Sequence, residues 1–395
     1  MNVALLFLMM RLALPLVALA WLARPARLAG QRWEEVDRAV AGAIEHRIFP
    51  GAVVVVGRRD TVLFARGYGR LTWRKSARRP RPDSTLWDLA SLTKIIATTS
   101  LAMVYVDQGL LGLDDPVVGY APEFTGEGRE AITVRMLLDH TSGLRAWAPL
   151  WRESRTRDEA LALVLREAPT RPPGMAAEYS DLNAILLGLV MERVGGARLD
   201  TLAVREIFRP LDLRDLRFGV RRADHRRTAP SRLERGGRVV TGVVQDDNAR
   251  RLGGVAGHAG LFGSGLAVAR FAQAWLSFGA PGEHPWVRPE TVRRFFQRSP
   301  GAGSRALGWN TRDTATATMF GTLAPPEAVG HSGWTGTSLW LDPTNDLFVV
   351  LLSNRSISPR GRRTLEAIRV VRGEVSDAAR RAALGECGAA AAPSC

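Results

Sequence analysis

Lysine is almost absent from a chain that is otherwise strongly basic. The 395 residues include 54 lysines and arginines, yet only two of these, Lys75 and Lys94, are lysines. Arginine therefore occupies nearly every position where a positive charge is enough. An arginine stays protonated in a protein, whereas a lysine can lose its proton when it is desolvated or lies beside another cation. This scarcity excludes a lysine-rich binding surface and draws attention to the two lysines that remain.

Cysteine is equally scarce, and the usual metal-binding and nucleotide-binding patterns are missing. Cys387 and Cys395 lie in the stretch LGECGAAAAPSC, which excludes a disulfide framework and gives neither of them a catalytic role. The sequence contains no H-E-x-x-H motif, no C-x-x-C motif and no phosphate loop ending in Gly-Lys. We therefore expect no metal, no nucleotide and no other cofactor.

The net charge of +15 bears on the partners of the protein. The basic residues are spread along the chain, without zinc-finger spacing, an RNP-like motif or a basic-aromatic stripe, so nucleic-acid binding is not expected. A basic protein would instead be attracted to an anionic membrane surface or to acidic envelope polymers. The remaining composition, 46% hydrophobic and 24% charged, is that of a globular protein with enough apolar residues for a core.

The first 30 residues have the features of a targeting segment. Arg11 precedes an apolar run from Leu12 to Leu22, and Ala18-Leu19-Ala20 resembles a signal-peptide cleavage site, with Met9 or Met10 as an alternative start. This run alone is too short to cross a bilayer comfortably. If MNVALLFL is also translated, the apolar stretch lengthens to about 22 residues, and an uncleaved membrane anchor is the alternative. Both interpretations of residues 1–30 predict export to the periplasm or cell envelope.

The order of predicted elements indicates an α+β fold. A helix near 32–46 precedes a hairpin over 51–69, in which two β-branched runs flank GRRD. The chain returns to strands in GTSLWLDP and NDLFVVLLSNR, followed by a helix over about 359–371. The strands from both ends can pair in one antiparallel sheet flanked by the terminal helices. The mostly helical part over about 110–230 is then an inserted domain, with the active site between the two parts.

One domain over 31–372 accommodates all of these elements. We expect the remaining residues, 373–395, to form an Ala/Gly-rich tail.

Of the two lysines, Lys94 lies in a motif that suggests a chemical role. In DLASLTKIIATT it follows Ser91 by three residues, so on a helix ending near Gln108 the two side chains share a face and can meet. Serine is a weak nucleophile until a neighbouring base accepts its proton, and S-x-x-K is the nucleophile motif of one class of acyl transfer. The alternative is a helix with a capping serine and a solvated lysine.

Two further motifs can each be interpreted as either structural or functional. In MAAEYSDLNAILLGLV, Tyr179 precedes a helix; it either packs beside the N-cap or relays a proton, with its pKa lowered by the ammonium of Lys94. In GHSGWTGTSLWLDP, His331-Ser332-Gly333 stands at the start of a strand. Its small residues either provide a Gly-rich strand entry or let a substrate lie along the strand edge.

Taken in order, S-x-x-K, Y-S-[ND] and [KH]-[ST]-G resemble the motifs of serine β-lactamases and penicillin-binding proteins. The class C-type group, which also includes D-alanyl-D-alanine carboxypeptidases and esterases, is the most similar branch, over roughly 33–370. The stretches WDLASLTK, GLLGLDDPVVGYAPEF, LLDHTSGL and GGVAGHAGLFGSGLAVARFAQ are also similar to that family. The resemblance implies a β-lactamase-like fold and hydrolysis of an ester or amide through an acyl-enzyme.

The resemblance also implies roles for individual residues. Ser91 would be the acylated nucleophile, Lys94 and Tyr179 would share the acid and base roles, and the backbone N–H groups of Ser91 and Trp334 would form the oxyanion hole. The residues implied in substrate binding are Asp181, His331, Ser332 and Gly333. Asp246, Asn248 and His258 are weaker candidates for the cleft, and His258, like His140, is expected to be structural.

Two departures from the family pattern affect the expected substrate, which would be a small molecule or derived from peptidoglycan. Asp181 stands where the family often has asparagine, and His331 stands where β-lactamases and D,D-peptidases usually have lysine. A histidine with an ordinary pKa is cationic only near or below pH ~6.5. An ester or other amide is therefore favoured, a D-Ala-D-Ala carboxypeptidase or β-lactamase is the first alternative, and a non-catalytic envelope-binding scaffold is the second.

Overall fold

The computed structural model describes residues 32–234, 236–278, 286–312 and 319–385. The predicted targeting segment and both cysteines lie outside the described residues. Within these ranges, no helix combines the length and the hydrophobicity needed to cross a membrane.

The secondary structure alternates between short strands and helices of very different length. The strands are β1 (Gly51–Gly57), β2 (Val62–Gly69), β3 (Trp87–Asp88), β4 (Arg217–Phe218), β5 (Pro230–Leu233), β6 (Val239–Thr241), β7 (Leu261–Gly263), β8 (Asn310–Thr311), β9 (Val329–Ser332), β10 (Ser338–Asp342) and β11 (Leu347–Ser353). The α-helices are α1 (Glu34–Glu45), α2 (Ser100–Asp107), α3 (Val134–Leu138), α4 (Leu150–Glu153), α5 (Arg157–Arg166), α6 (Asp181–Gly195), α7 (Leu199–Ala203), α8 (Asp247–Arg251), α9 (Gly265–Leu276), α10 (Pro289–Phe296) and α11 (Thr364–Leu384). Two π-helical segments (Lys94–Thr99 and Val204–Phe208) and five 3₁₀ segments (Val117–Gly119, Arg129–Ala131, Arg222–Arg227, Arg355–Ile357 and Gly361–Arg363) complete the described part.

A six-stranded antiparallel sheet joins the two ends of the chain. Its order is β2-β1-β11-β10-β9-β8, and Ala52 of β1 lies opposite Ser353 of β11. The predicted hairpin at each end is confirmed, as is the α+β class. Two smaller sheets, β3-β7-β4 and β5-β6, lie in the middle of the chain.

Strand β1 is buried on both faces, which explains its uninterrupted run of valines. Alternate residues point to opposite sides of a sheet. Val54 belongs to the core formed with α1 and α11, whereas Val53 and Val55 belong to the larger core formed with α9 and the helices of the middle part. At Gly265, α9 begins directly against β1. A side chain would not fit there, since a Cβ would come within 2.7 Å of Val53 Cγ1.

Two predicted boundaries are wrong. The last helix does not end near 371 but continues as α11 to Leu384, so the tail expected from 373 begins inside a helix. Its buried residues Val375, Ala379 and Ala383 pack in the core shared with α1, which the alanine-rich composition did not reveal. Likewise, His331 and Ser332 do not start a strand: they end β9, and a tight turn leads from Gly333 to β10.

Candidate active site

Ser91 follows a residue with a strained backbone. Ala90 has a φ of +47°, in the left-handed region that favours glycine. The buried carboxylate of Asp88 stabilises this turn, because its Oδ1 accepts a hydrogen bond from the Ala90 N–H (2.9 Å) and its Oδ2 accepts one from the Gln245 N–H (2.7 Å). Strain that is held in place by buried contacts is typical of functional turns. Here it presents Ser91 at the entrance to the π-helical segment.

Lys94 directs its ammonium group at three acceptors. Its Nζ donates to Ser91 Oγ (3.1 Å), to Asp181 Oδ1 (2.7 Å) and to the carbonyl oxygen of His258 (3.1 Å). The side chains of Ser91 and Lys94 therefore meet, as their spacing predicts. Burial lowers the pKa of Lys94, but Asp181 and Tyr179 outweigh burial and raise this pKa above its usual value. Lys94 is consequently protonated at neutral pH, and Asp181 pairs with Lys94 instead of standing free for a substrate.

Tyr179 approaches the same serine from the start of α6. Its hydroxyl donates to Ser91 Oγ at 2.9 Å, and its ring packs on His140 with the ring centres 4.9 Å apart. Ser180 caps α6 by accepting from the Asn183 N–H, as the sequence predicts for a capping residue. Burial lowers the pKa of His140 well below its usual value, and the neutral ring accepts the Ser180 N–H at Nδ1 (3.2 Å).

The phenol of Tyr179 is neutral in the resting site. Burial raises the pKa of Tyr179, and the nearby ammonium of Lys94 only partly offsets this effect. The expectation that Lys94 lowers the pKa of this tyrosine is therefore wrong in its net direction, because desolvation dominates. The resting site combines a charged lysine, a neutral tyrosine and a serine within hydrogen-bonding distance of both.

The turn after β9 packs against the residues that precede Ser91. Thr335 Oγ1 donates to the carbonyl oxygen of Asp88 (2.8 Å), and Thr337 Oγ1 donates to that of Leu89 (3.0 Å). Gly333 is required by this approach, since a Cβ there would lie 2.7 Å from the Leu89 oxygen. In the part of the chain that the structure describes, the backbone N–H groups of Ser91 and Trp334 donate to no protein acceptor.

His331 is buried and uncharged. Burial, together with the nearby cations Lys94 and Arg305, lowers the pKa of His331 well below its usual value. Its Nδ1 contacts the carbonyl oxygen of Ser332 at 3.0 Å, whereas its buried Nε2 has no hydrogen-bond partner among the residues that the structure describes. A neutral imidazole cannot replace the lysine cation that the family pattern has at this position.

Arg305 is a cation of this site that sequence reasoning did not identify. Its guanidinium lies over the ring of Tyr179, 5.4 Å from the ring centre, and donates to Asn310 Oδ1. The charge of Arg305 lies close enough to both His140 and His331 to contribute to the lowered pKa of each ring. Among the described residues, no carboxylate lies within ion-pair distance of Arg305. Nothing in the sequence distinguishes this arginine from its many neighbours.

The sequence model of the beta-lactamase family matches residues 36–372, most of the chain and all of the site described above. The chain belongs to the beta-lactamase family. This is a family of serine hydrolases, so the resemblance inferred from the three motifs is confirmed.

Several relatives of this beta-lactamase family chain are similar along most of their length. The Escherichia coli K12 protein named "Putative D-alanyl-D-alanine carboxypeptidase" is 29% identical over 363 residues, which cover 83% of each chain. A Salmonella agona protein of the same name is 30% identical over 305 residues, which cover 70% of this chain and 71% of the relative.

Solved structures share the fold of this beta-lactamase family chain. EstCE1, described as a hydrolase with promiscuous acyltransferase activity, superposes with a TM-score of 0.70 at 23% identity and covers 89% of this chain and 100% of its own. An octameric penicillin-binding protein homologue from Pyrococcus abyssi superposes with a TM-score of 0.69 at 20% identity, over 89% of this chain and 77% of its own.

The weaker candidates serve the scaffold of this beta-lactamase family member. Asn248 is buried and uses both ends of its amide at the start of α4, donating to the Ala148 oxygen and accepting from the Trp151 N–H. The prediction that it lines the cleft is therefore wrong. Asp246 caps α8 and accepts from His258 Nε2 (2.9 Å). His258 contributes its carbonyl oxygen to Lys94 and keeps its ring buried, as a structural histidine does.

No metal site accompanies these residues in the described ranges. No group of three or more histidine, cysteine, aspartate or glutamate side chains there is arranged to hold a metal ion.

We expect acylation by this beta-lactamase family site to slow as the pH falls through about 6. Burial raises the pKa of Asp88 to about 6, so this carboxylate is ionised at pH 7 and protonated below pH 6. When Asp88 is protonated, one of its two oxygens no longer accepts a hydrogen bond, so the backbone N–H of either Ala90 or Gln245 loses its partner. Asp88→Asn should imitate the protonated state and be slow at every pH. Acylation rates measured from pH 5 to pH 8 would test this. If the variant showed the same fall in rate at acidic pH as the wild-type protein, the role given to Asp88 would be wrong.

Proposed function

We propose that this protein is a serine hydrolase that forms an acyl-enzyme at Ser91 and acts on an ester or amide. The observation that supports the proposal is the convergence of two groups on Ser91 Oγ: Lys94 Nζ at 3.1 Å and the Tyr179 hydroxyl at 2.9 Å. A serine with such neighbours is an activated nucleophile. The unused N–H groups of Ser91 and Trp334 are suited to the oxyanion that would form beside it.

In acylation, Ser91 Oγ bonds to the carbonyl carbon of the substrate while its proton passes to the oxygen of Tyr179. In the same step the Tyr179 hydroxyl turns from Ser91 Oγ and gives its own proton to the leaving oxygen or nitrogen, so the phenol never holds two protons. The bond from that leaving atom to the carbonyl carbon then breaks. Because Lys94 starts as an ammonium, it stabilises the negative charge that develops on these oxygens and does not itself take the proton. The two backbone N–H groups stabilise the charge on the carbonyl oxygen.

Deacylation follows the same path in reverse. A water molecule gives its proton to Tyr179 and bonds to the carbonyl carbon, and the bond to Ser91 Oγ breaks as Tyr179 returns a proton to it. The products are the carboxylic acid and the free serine. This symmetry requires one group that both accepts and donates protons, and a neutral phenol can do both.

A mapped acyl adduct tests the proposal. The purified protein is mixed with a chromogenic short-chain ester, quenched in acid and digested, and the peptide containing Ser91 should gain the mass of the acyl group. Labelling with a fluorescent penicillin in parallel separates an esterase from a penicillin-binding protein or β-lactamase. If ester turnover, adduct and labelling are all absent, the non-catalytic scaffold becomes the better interpretation.

A second candidate function, a D-alanyl-D-alanine carboxypeptidase, is favoured by Arg305 and by the names of the relatives. Such a substrate ends in a carboxylate, which needs a cation in the site. His331 is neutral, whereas Arg305 is a cation in the same wall, because a guanidinium stays protonated in a protein, and it has no carboxylate partner among the described residues. Arginine binds carboxylates with two parallel hydrogen bonds. The substrate would then be a peptide derived from peptidoglycan.

Arg305→Gln should lower kcat/KM for a peptide ending in D-alanine by about tenfold to hundredfold, because a hydrogen bond to a charged group contributes about 1.5–3 kcal/mol. The same peptide with a C-terminal amide should lose little in the variant. Arg38→Gln, an exposed change on α1, is the matched control. Equal losses for both peptides would mean that Arg305 only supports the ring of Tyr179.

Export and a basic surface complete the proposed function. The targeting pattern of residues 1–30 and the carboxypeptidase names of the relatives both favour the cell envelope. The segments 74–79 and 221–226 are mostly exposed and adjoin each other through a hydrogen bond from Arg78 to the carbonyl oxygen of Arg226 (3.0 Å). Their arginines would attract an anionic membrane or envelope surface. Cell fractionation tests the export, and binding to anionic vesicles that weakens with salt tests the surface.

A further inference from the structure

Two buried arginines lie behind the turn that precedes β10. Arg372, in α11, donates from Nη2 to the carbonyl oxygens of Gly333 (2.7 Å) and Thr337 (3.0 Å). Arg355, after β11, donates from Nε to the carbonyl oxygen of Trp334 (2.9 Å), and its Nη2 contacts the same oxygen. Both side chains are almost inaccessible to solvent. Neither forms an ion pair with a carboxylate in the described part of the chain.

This pair is energetically unfavourable as a purely structural device. Burial lowers the pKa of Arg372 to about 9 and that of Arg355 to about 10, and the charge of Arg355 further lowers the pKa of Arg372. Both groups nevertheless remain cationic at neutral pH. Buried charges without a counter-ion are costly, and apolar residues of similar volume are often as good or better for stability. The two cations therefore call for a functional explanation.

The peptide group that Arg372 contacts supplies a functional explanation for the buried charge. The carbonyl of Gly333 and the N–H of Trp334 are opposite ends of the same planar peptide. In a trans peptide these two groups point in opposite directions, so fixing the oxygen on Arg372 also fixes the direction of the N–H. A cation on the oxygen draws electron density away from the nitrogen, which makes the N–H a stronger donor.

We infer that Arg372 is a positioning residue for the oxyanion hole, because its buried guanidinium orients and polarises the peptide whose N–H, that of Trp334, faces the reacting carbonyl. Arg355 supports it by holding the next carbonyl of the same turn. This inference rests on the proposed function, in which the Trp334 N–H binds the oxyanion. It assigns a catalytic consequence to a helix that lies on the far side of the sheet.

Arg372→Met tests the inference because it removes the charge and keeps most of the apolar volume. We expect kcat/KM for a chromogenic oxygen ester to fall about tenfold, less than the 10²- to 10³-fold typical of losing a whole oxyanion donor. KM should change little, since the charge develops only in the transition state. The melting temperature should stay the same or rise. A structural role alone would lower the melting temperature together with the activity.

A thionoester of the same acid separates polarisation from general damage. Sulfur accepts hydrogen bonds weakly, so the wild-type protein should prefer the oxygen ester strongly, and Arg372→Met should lose about tenfold of that preference. Arg369→Met, an exposed change on the same helix, is the control and should alter nothing. Arg372→Gln, which keeps an N–H donor without the charge, replaces the methionine variant if that variant does not fold.

The possible outcomes distinguish this inference from the proposed function. If Ser91→Ala still hydrolyses the ester at the wild-type rate, the proposed function fails. If Ser91→Ala is inactive but the Arg372 variants keep kcat/KM and the oxygen-to-sulfur preference within twofold of wild type, only the inference about Arg372 is overturned.

Discussion

Ser91→Ala is expected to abolish covalent labelling by a fluorophosphonate or penicillin probe and to reduce ester turnover by at least about 10⁴-fold. Removing the nucleophile of a catalytic unit typically costs up to about 10⁶ in kcat. The change removes one oxygen from a partly buried turn, so the fold should remain intact. Circular dichroism and thermal melting of the variant, beside the labelling gel, would establish that the loss is chemical.

Two comparisons make this test decisive. Ser84→Ala removes a hydroxyl that hydrogen-bonds to Asp83, away from the nucleophile, and it should still be labelled. A Ser91→Ala protein that is labelled as well as wild type would show that another residue is acylated, and the acyl-enzyme mechanism proposed for this site would be wrong.

Lys94→Arg has the second-largest expected effect, a loss of about 10²-fold or more in single-turnover acylation. A lysine ammonium is a compact charge with three donors, and the structure uses all three on Ser91, Asp181 and the His258 carbonyl. The side chain is only 4% exposed, so a planar guanidinium has no room to reproduce this arrangement. Misplacing a charged group by about 1 Å can cost 10²-fold in rate.

Lys75→Arg is the matched control for this change. Lys75 lies on an exposed loop, so its replacement should leave acylation unchanged. The rate of acylation should also show no dependence on a deprotonating lysine between pH 6 and 9, since Asp181 raises the pKa of Lys94. Acylation by Lys94→Arg within about threefold of wild type, far short of the effect expected for a misplaced charge, would reduce Lys94 to a replaceable structural cation.

The features that the sequence predicted correctly are those that depend on local spacing. The i, i+3 distance between Ser91 and Lys94, the capping of α6 by Ser180 and the strand hairpins follow from rules that act over a few residues. The order of three short motifs was sufficient for the family. The scarcity of lysine drew attention to Lys94, which the structure places beside Ser91 with a raised pKa, where the sequence suggested a base.

The features that were missed depend on long-range packing. The pairing of Asp181 with Lys94 joins segments far apart in the chain, and it reverses the direction in which burial alone would move the pKa of the lysine. Arg305 and Arg372 could not be distinguished among the numerous arginines, because only the fold shows that Arg305 lies half-buried over Tyr179 and that Arg372 is buried behind the turn at 333–337. The length of α11 was underestimated because alanine and arginine gave no clear apolar stripe near its end.

The pairing of β1 with β11 makes the site the product of both chain ends. Ala52 lies opposite Ser353, and α11 packs on α1, so the turn at 333–337 acquires its support only after the last helix has docked. Proteins dominated by such distant contacts fold slowly, since long loops must close, with a loss of conformational entropy, before the stabilising contacts form. A nascent chain therefore cannot complete the contacts behind the turn at 333–337 until α11 has left the ribosome.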